Sequence, residues 1–129
     1  MKVLFVEDDA MNRRVVRDML SVVGLEMAEA ENAELGLAMI DENDYDIILM
    51  DLRMPGMDGI TAIRHIRART DDKAKWPIIV VTADTAANLR QTCEDVGADD
   101  FLQKPVAMNA LFETIGKVVA AKASGSALL

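Results

Sequence analysis

A chain of 129 residues suffices for one domain with a buried core, and with 51% hydrophobic but only 4% aromatic residues that core must be Val, Ile, Leu, Met and Ala. A formal net charge of −8 argues against nucleic acid as a direct ligand, since neutralising phosphates takes clustered Lys and Arg, and favours a cation or a protein partner. No apolar run approaches bilayer length, the lone Cys93 can close no internal disulfide, and the opening Met-Lys-Val-Leu lacks a signal-peptide pattern, so the expectation is a cytoplasmic protein without membrane contact.

The first predicted strand, Val3-Leu4-Phe5-Val6, runs into Glu7-Asp8-Asp9. A helix follows from Met11 to Val23, with apolar residues at Met11, Val15, Val16, Met19, Leu20, Val22 and Val23, and Gly24 stands where a C-terminal cap uses glycine. A weaker strand spans about Glu26 to Ala30. Asn32 can cap the second helix, whose expected stripe is Leu35, Ala38, Met39 and Ile40 and which Asp41-Glu42-Asn43-Asp44 ends. The third strand, about Asp46 to Met50, is almost wholly apolar and runs into Asp51.

Met54-Pro55-Gly56-Met57-Asp58-Gly59 is rich in turn formers and opens a helix from about Gly59 to Arg69, with Ile60, Ile63 and Ile66 inward. His65, the only histidine, falls on its polar side and reads as a solvated surface residue. A polar connector, Thr70 to Lys75, precedes the fourth strand, Ile78-Ile79-Val80-Val81, which runs into Thr82. The next helix is expected from about Thr85 to Val96, with Cys93 as a small buried hydrophobe. The short fifth strand, Asp100 to Gln103, delivers Lys104-Pro105. Asn109 to Ala121 makes the last helix, closing a domain of residues 1–121, and 122–129 are expected to form a flexible tail.

Alternating strands and helices with short connections predict an α/β fold, a doubly wound five-stranded parallel sheet with five helices. Strand order 2-1-3-4-5, the flavodoxin-like arrangement, brings the ends of strands one and three together at the switch point, where such sheets bind ligands. Glu7, Asp8 and Asp51 then meet, with Thr82 and Lys104 on the same edge. Three carboxylates in one crevice call for a hard divalent ion, and Mg²⁺ suits them. Asp51 is placed to attack a phosphoryl group, Lys104 to balance its charge and Thr82 to donate a hydrogen bond. Each residue alone has an ordinary reading: Asp9 as a helix cap, Asp51 as a turn residue, Thr82 as a strand end, Lys104 as a surface charge. Their joint placement at four strand ends does not.

These residues carry a resemblance. Val6-Glu7-Asp8-Asp9, Leu49-Met50-Asp51 through Met54-Pro55-Gly56-Met57-Asp58-Gly59, Val80-Val81-Thr82-Ala83 and Gly97-Ala98-Asp99-Asp100 through Lys104-Pro105 resemble the receiver domains of two-component response regulators over about residues 1–121. Asp8-Asp9-Ala10-Met11-Asn12-Arg13-Arg14-Val15 is similar to the receivers of hybrid histidine kinases and of stand-alone regulators. The resemblance implies that Asp51 accepts a phosphoryl group from a phosphohistidine. It implies Mg²⁺ held by Asp8, Asp51 and the backbone carbonyl of Arg53, with Glu7 acting through water. Lys104 then contacts the phosphoryl group, its bond to Pro105 is cis, and Thr82 and Phe101 form the switch pair.

A histidine kinase or histidine phosphotransfer protein is the implied donor, docking on the helix face of Met11, Arg14, Val15, Asp18 and Val22; an inward, core-facing role is the competing reading of that face. The expected output is contact with a downstream protein target, as a monomer or a weak phosphorylation-dependent dimer. A relay intermediate, phosphate sink or excised hybrid-kinase receiver is the alternative. The chain is expected to be a signalling module that phosphorylates itself and slowly loses the group, not an enzyme acting on a separate substrate. A Mg²⁺-dependent phosphohydrolase of the Asp-x-Asp kind needs an acid where Arg53 stands. Arg53 and Asp84 are further expected to bracket the path of the hydrolytic water; an exposed ion pair of little consequence is the competing reading.

Overall fold

Strands that are apolar at every position can be stable only where both faces of the sheet are covered. The computed structural model, which describes the backbone of residues 1–128 and the side chains of residues 1–123, shows this arrangement. β1 (Lys2–Val6), β2 (Glu26–Ala30), β3 (Ile47–Met50), β4 (Ile78–Thr82) and β5 (Asp100–Gln103) form one parallel sheet ordered β2-β1-β3-β4-β5. Because side chains alternate across a strand, Leu4, Val6, Ile48, Met50, Ile78 and Val80 fill the core on one face. Val3, Phe5, Ile47, Leu49, Ile79 and Val81 fill the core on the other. The first layer is closed by α2 (Ala33–Glu42), α3 (Gly59–Arg67) and α4 (Leu89–Asp95), the second by α1 (Ala10–Val22) and α5 (Met108–Leu128).

The register carries the strand ends to one edge. Val6 pairs with Met50, and the next residue, Asp51, donates its N–H to the Val6 carbonyl at 3.0 Å. Thr82 pairs with Gln103, and the Lys104 N–H reaches the Thr82 carbonyl at 2.8 Å. Strand order, strand identity and helix number follow the sequence expectation. The helix limits do not all follow.

α4 begins at Leu89 instead of Thr85, because the Asp84 carboxylate accepts from the Ala86 N–H at 3.0 Å and its own N–H donates to Thr82 Oγ1 at 3.2 Å; this side-chain turn competes with helix over residues 84–88. α3 stops at Arg67, two residues early, and the connector that follows contains a short 3-10 turn at Asp72–Lys75. Arg67 there leaves the helix surface to donate to the carbonyls of Gly97, Ala74 and Trp76 at 2.9, 2.7 and 2.7 Å. α5 continues to Leu128 where a tail was expected from residue 122; Ala120, Ala121, Lys122 and Ala123 are strong helix formers and carry it on.

The inward face of α2 is also not the expected stripe. Ala33, Gly36 and Ile40 are buried, whereas Leu35 and Ala38 are exposed. Gly36 lies so close to β1 that a Cβ there would stand 2.8 Å from Val6 Cγ2, so the side of the helix carrying Ala33, Gly36 and Ile40 packs on the sheet and Leu35 turns outward. On α3, Ile63 and Ile66 are buried and Ile60 is half-buried. Cys93 is buried and His65 exposed.

Candidate functional site

Among the described residues the only buried polar or charged side chains are Glu7, Asp51 and Thr82, and all three lie on the C-terminal edge of the sheet. Glu7 follows β1 and is fully buried; Asp51 follows β3 at 4% exposure. Asp8 is exposed beside them, and one carboxylate oxygen from each of Glu7, Asp8 and Asp51 lies within 4.8 Å of the others. Lys104, leaving β5, pairs with Glu7 Oε1 and stands 3.3 Å from Asp51 Oδ2. Asp51 Oδ1 accepts from the Leu52 N–H at 2.8 Å, which leaves Oδ2 on the side of the ammonium. A cleft of about 250 Å³ opens over the cluster, and Thr82, Arg53, Asp84 and Asn12 share its lining with the carboxylates and Lys104.

Electrostatics follow from this crowding. Burial and then the neighbouring Asp51 carboxylate push the Glu7 pKa above its ordinary value. Asp8 is pushed up as well, by desolvation and by the Glu7 carboxylate. Burial works against the Lys104 ammonium, but Glu7 and Asp51 outweigh it and hold its pKa above the usual lysine value. Three carboxylates against one ammonium leave two negative charges uncompensated when all are ionised. Hard oxygen donors at this spacing fit a small divalent ion.

The remaining expected site residues are placed as follows. The Arg53 side chain, 79% exposed, pairs with Asp84 at the cleft, its Nε 2.8 Å from Oδ2. That contact holds the Asp84 carboxyl below its ordinary value. Phe101 lies on β5 opposite Val80, half-buried, with the Arg90 guanidinium 5.7 Å from its ring centroid. The Lys104–Pro105 peptide bond is cis. On α1 the core is met by Val16 and Leu20, so Met11, Arg14, Val15, Asp18 and Val22 are all exposed. An apolar groove of about 150 Å³ runs from Val15 past Asn12 to Pro105 and Val106, with Lys104 in its wall.

Three residues at the site went unread in the sequence as site residues. Asn12 Nδ2 donates to Glu7 Oε1 at 3.0 Å, and Arg13 Nη1 to the Glu7 carbonyl at 2.7 Å. The signal available was position alone: both fall in the first turn after the acidic run. Gly59, placed as a helix start and within the motif that carries the resemblance but given no role, packs on the acidic strand end, where a Cβ would lie 2.1 Å from the Asp51 carbonyl oxygen.

Comparison with known proteins gives the same picture. The chain is 33% identical over 116 residues to the sensory/regulatory protein RpfC of Xanthomonas campestris pv. campestris; the match covers 89% of this chain and 16% of RpfC, so the chain spans about a sixth of that relative. Among solved structures it is similar to the chemotaxis protein CheY4 of Vibrio cholerae, with a TM-score of 0.83 at 30% identity over 91% of this chain and 97% of that one. It is also similar to the receiver domain of the sensor histidine kinase PA1611 from Pseudomonas aeruginosa, with a TM-score of 0.84 at 31% identity over 92% and 97%. That receiver was crystallised with a magnesium ion coordinated in its active-site cleft. The family model for the response regulator receiver domain matches residues 3–116. Sheet order, acidic cleft and this match agree: the chain belongs to the response regulator receiver domain family of two-component signal transduction.

Proposed function

We propose that this receiver, residues 1–121, accepts a phosphoryl group on Asp51 from the phosphohistidine of a histidine kinase or a histidine phosphotransfer protein. The observation that carries the reading is the joint presence, in one cleft, of two buried carboxylates, an exposed third and an ammonium at the ends of β1, β3 and β5. Asp51 Oδ2 faces Lys104, while Oδ1 is held by Leu52; Oδ2 is therefore the nucleophile. The O–P bond forms as the N–P bond of the donor imidazole breaks, and the electron pair leaves with the imidazole nitrogen. Lys104 stands where the phosphoryl oxygens arrive, and Thr82 offers its hydroxyl to one of them. Glu7, Asp8, Asp51 and the Arg53 carbonyl are the groups to hold Mg²⁺, which when bound offsets the carboxylate charge and that of the incoming phosphoryl group.

When Thr82 turns to the phosphoryl group it vacates space at β4, and Phe101 moves inward from β5. Phosphorylation thereby shifts a two-state equilibrium. The exposed α1 face of Met11, Arg14, Val15, Asp18 and Val22, with the groove beside Pro105, is the surface offered to the donor. Output passes to a downstream protein target from a monomer or a weak phosphorylation-dependent dimer in the cytoplasm. Among the described residues no helix is long and apolar enough to cross a membrane. A relay intermediate is the second reading, supported by the likeness to the receiver of a sensor histidine kinase.

Intact mass after incubation with Mg²⁺ and acetyl phosphate tests the proposal. Gain of one phosphoryl group in the parent, absent in Asp51→Asn and under chelation, is expected. No gain in the parent at saturating donor would overturn it.

A further inference from the structure

Lys104 is not the only group that holds the buried Glu7 carboxylate; α1 holds it too. Asp9 caps α1 through its side chain, which accepts from the Met11 N–H at 2.8 Å, while its own N–H lies 3.5 Å from Glu7 Oε2, a weak hold. Asn12, the third residue of the helix, donates through Nδ2 to Glu7 Oε1 at 3.0 Å, the oxygen that also receives Lys104. At this helical position an acidic or amide side chain commonly turns back to the cap N–H. Here the amide turns to Glu7 instead. Asparagine is a poorer helix former than Ala, Lys or Gln, so the local helix gains nothing from it.

A lysine ammonium is a point charge on a flexible stem and does not fix the rotation of a carboxylate. With Lys104 alone, Glu7 can turn either oxygen, or both, towards the ammonium. A second donor on Oε1, fixed to the first turn of α1, removes that freedom. Oε1 then faces two N–H groups, and Oε2 keeps only the long contact to Asp9. The backbone beneath is held as well, since Arg13 donates to the Glu7 carbonyl and is itself paired with Glu29 at 3.1 Å.

We propose that Asn12 is a positioning residue of the receiver site: it pins Glu7 Oε1 beside Lys104, so that the buried carboxylate keeps one orientation against Asp8 and Asp51, the groups that would hold Mg²⁺ with it. The inference rests on the reading of the acidic cleft as a Mg²⁺ site. It makes metal affinity depend on a neutral amide that need not touch the metal, as partners of ligating groups do elsewhere.

Magnesium chloride titrated into the unphosphorylated full chain by isothermal calorimetry tests it, with the parent, Asn12→Ala and Asn12→Gln compared and metal-free melting temperatures measured beside them. The expected result is about tenfold weaker Mg²⁺ binding in Asn12→Ala, an unchanged metal-free melting temperature, and recovery of most of the affinity in Asn12→Gln, whose longer arm carries the same donor. Parent-like affinity in Asn12→Ala overturns the proposal. So does a loss that Asn12→Gln shares together with a lowered metal-free melting temperature, because packing then explains it. Absence of Mg²⁺ binding in the parent is a separate result: it removes the metal reading of the cleft, and this inference with it.

Discussion

The Lys104 ammonium pairs with the Glu7 carboxylate across a sequence separation of 97 residues, and the same ammonium stands 3.3 Å from Asp51. One cation is thus shared between the ends of β1 and β3 from its position at the end of β5. Before any phosphoryl group arrives, Lys104 is the main balance for the charge of the cleft.

Replacing Lys104 with Met removes that balance while keeping much of the side-chain volume. In chelator the variant is expected to lose about 2 kcal/mol of stability, because the buried Glu7 and Asp51 carboxylates lose their charged partner. Added Mg²⁺ should restore more stability to Lys104→Met than it adds to the parent. Urea unfolding with and without Mg²⁺ measures both; equal metal responses would show that Lys104 and the metal do not share one charge cluster.

Asp51→Asn keeps an oxygen for the Leu52 N–H but removes one of three mutually repelling carboxylates. Its metal-free melting temperature is expected to equal or exceed that of the parent, while Mg²⁺ loses most of its stabilising effect. Thermal unfolding at neutral pH in chelator and in Mg²⁺ is the measurement. A metal-free melting temperature several degrees below the parent would count against carboxylate repulsion as the dominant force in the cleft.

The pH dependence follows from Glu7 and Asp8. Both bind a proton more tightly in the folded chain than in the unfolded one, because burial disfavours Glu7 as an anion, and desolvation does the same to Asp8. Between the ordinary carboxylate value of about 4 and the raised folded values, the native state holds more protons, so metal-free stability falls as pH rises through that window. Lys104 acts at the other end: its raised pKa contributes stability at neutral pH that is lost as pH climbs through the folded value. The extra stability conferred by Mg²⁺ should grow from pH 5 to pH 7, since the ion competes with the carboxyl protons. Melting curves across this range, with and without the metal, check the sign.

Gly59 and Gly116 form a matched pair. A Cβ at Gly59 meets the Asp51 carbonyl oxygen at 2.1 Å and Leu52 Cα at 2.8 Å, both backbone atoms that cannot swing aside. Gly59→Ala is expected to cost about 3 kcal/mol and to slow phosphoryl acceptance by displacing Asp51. At Gly116, within α5, a Cβ meets nothing within 4 Å, so Gly116→Ala should add about 0.5–1 kcal/mol. Chemical denaturation of the two variants gives opposite signs if the close approach at Asp51 is real.

The Arg53–Asp84 pair borders the cleft. Arg53 is 79% exposed, so Arg53→Ala should melt with the parent, whereas Asp84→Ala also loses the bond from the Ala86 N–H and should melt somewhat lower. If the two charges bracket the path of the hydrolytic water, the phosphorylated forms should nonetheless decay at altered rates. Phosphoryl loss followed by intact mass after donor removal decides it; parent-like decay in both variants would leave the pair a surface contact only.

Much of this arrangement is written in local chemistry. Runs such as Ile47-Ile48-Leu49-Met50 carry no polar alternation, which requires cover on both faces, and the residue after each run marks the edge of the sheet. What stayed hidden depends on distance in space. The α2 face could not be read because the tight approach of Gly36 to Val6, and not the size of Leu35, decides which side faces in. The start of α4 was lost to the hydrogen bond of Asp84 with Ala86, since a carboxylate there suits a cap and a turn equally well. Val15 and Val16 stand about 100° apart round α1, and the apolar pattern accommodates either as the inward residue; the structure buries Val16 and exposes Val15.

The order β2-β1-β3-β4-β5 has a consequence for the growing polypeptide. The carboxylates arrive on the first and third strands and their ammonium on the last, so a chain emerging from synthesis holds an unbalanced anionic edge until β5 docks. The cleft is therefore complete only once β1, β3, β4 and β5 lie in one sheet, so the state of the site reports on the assembly of those four strands.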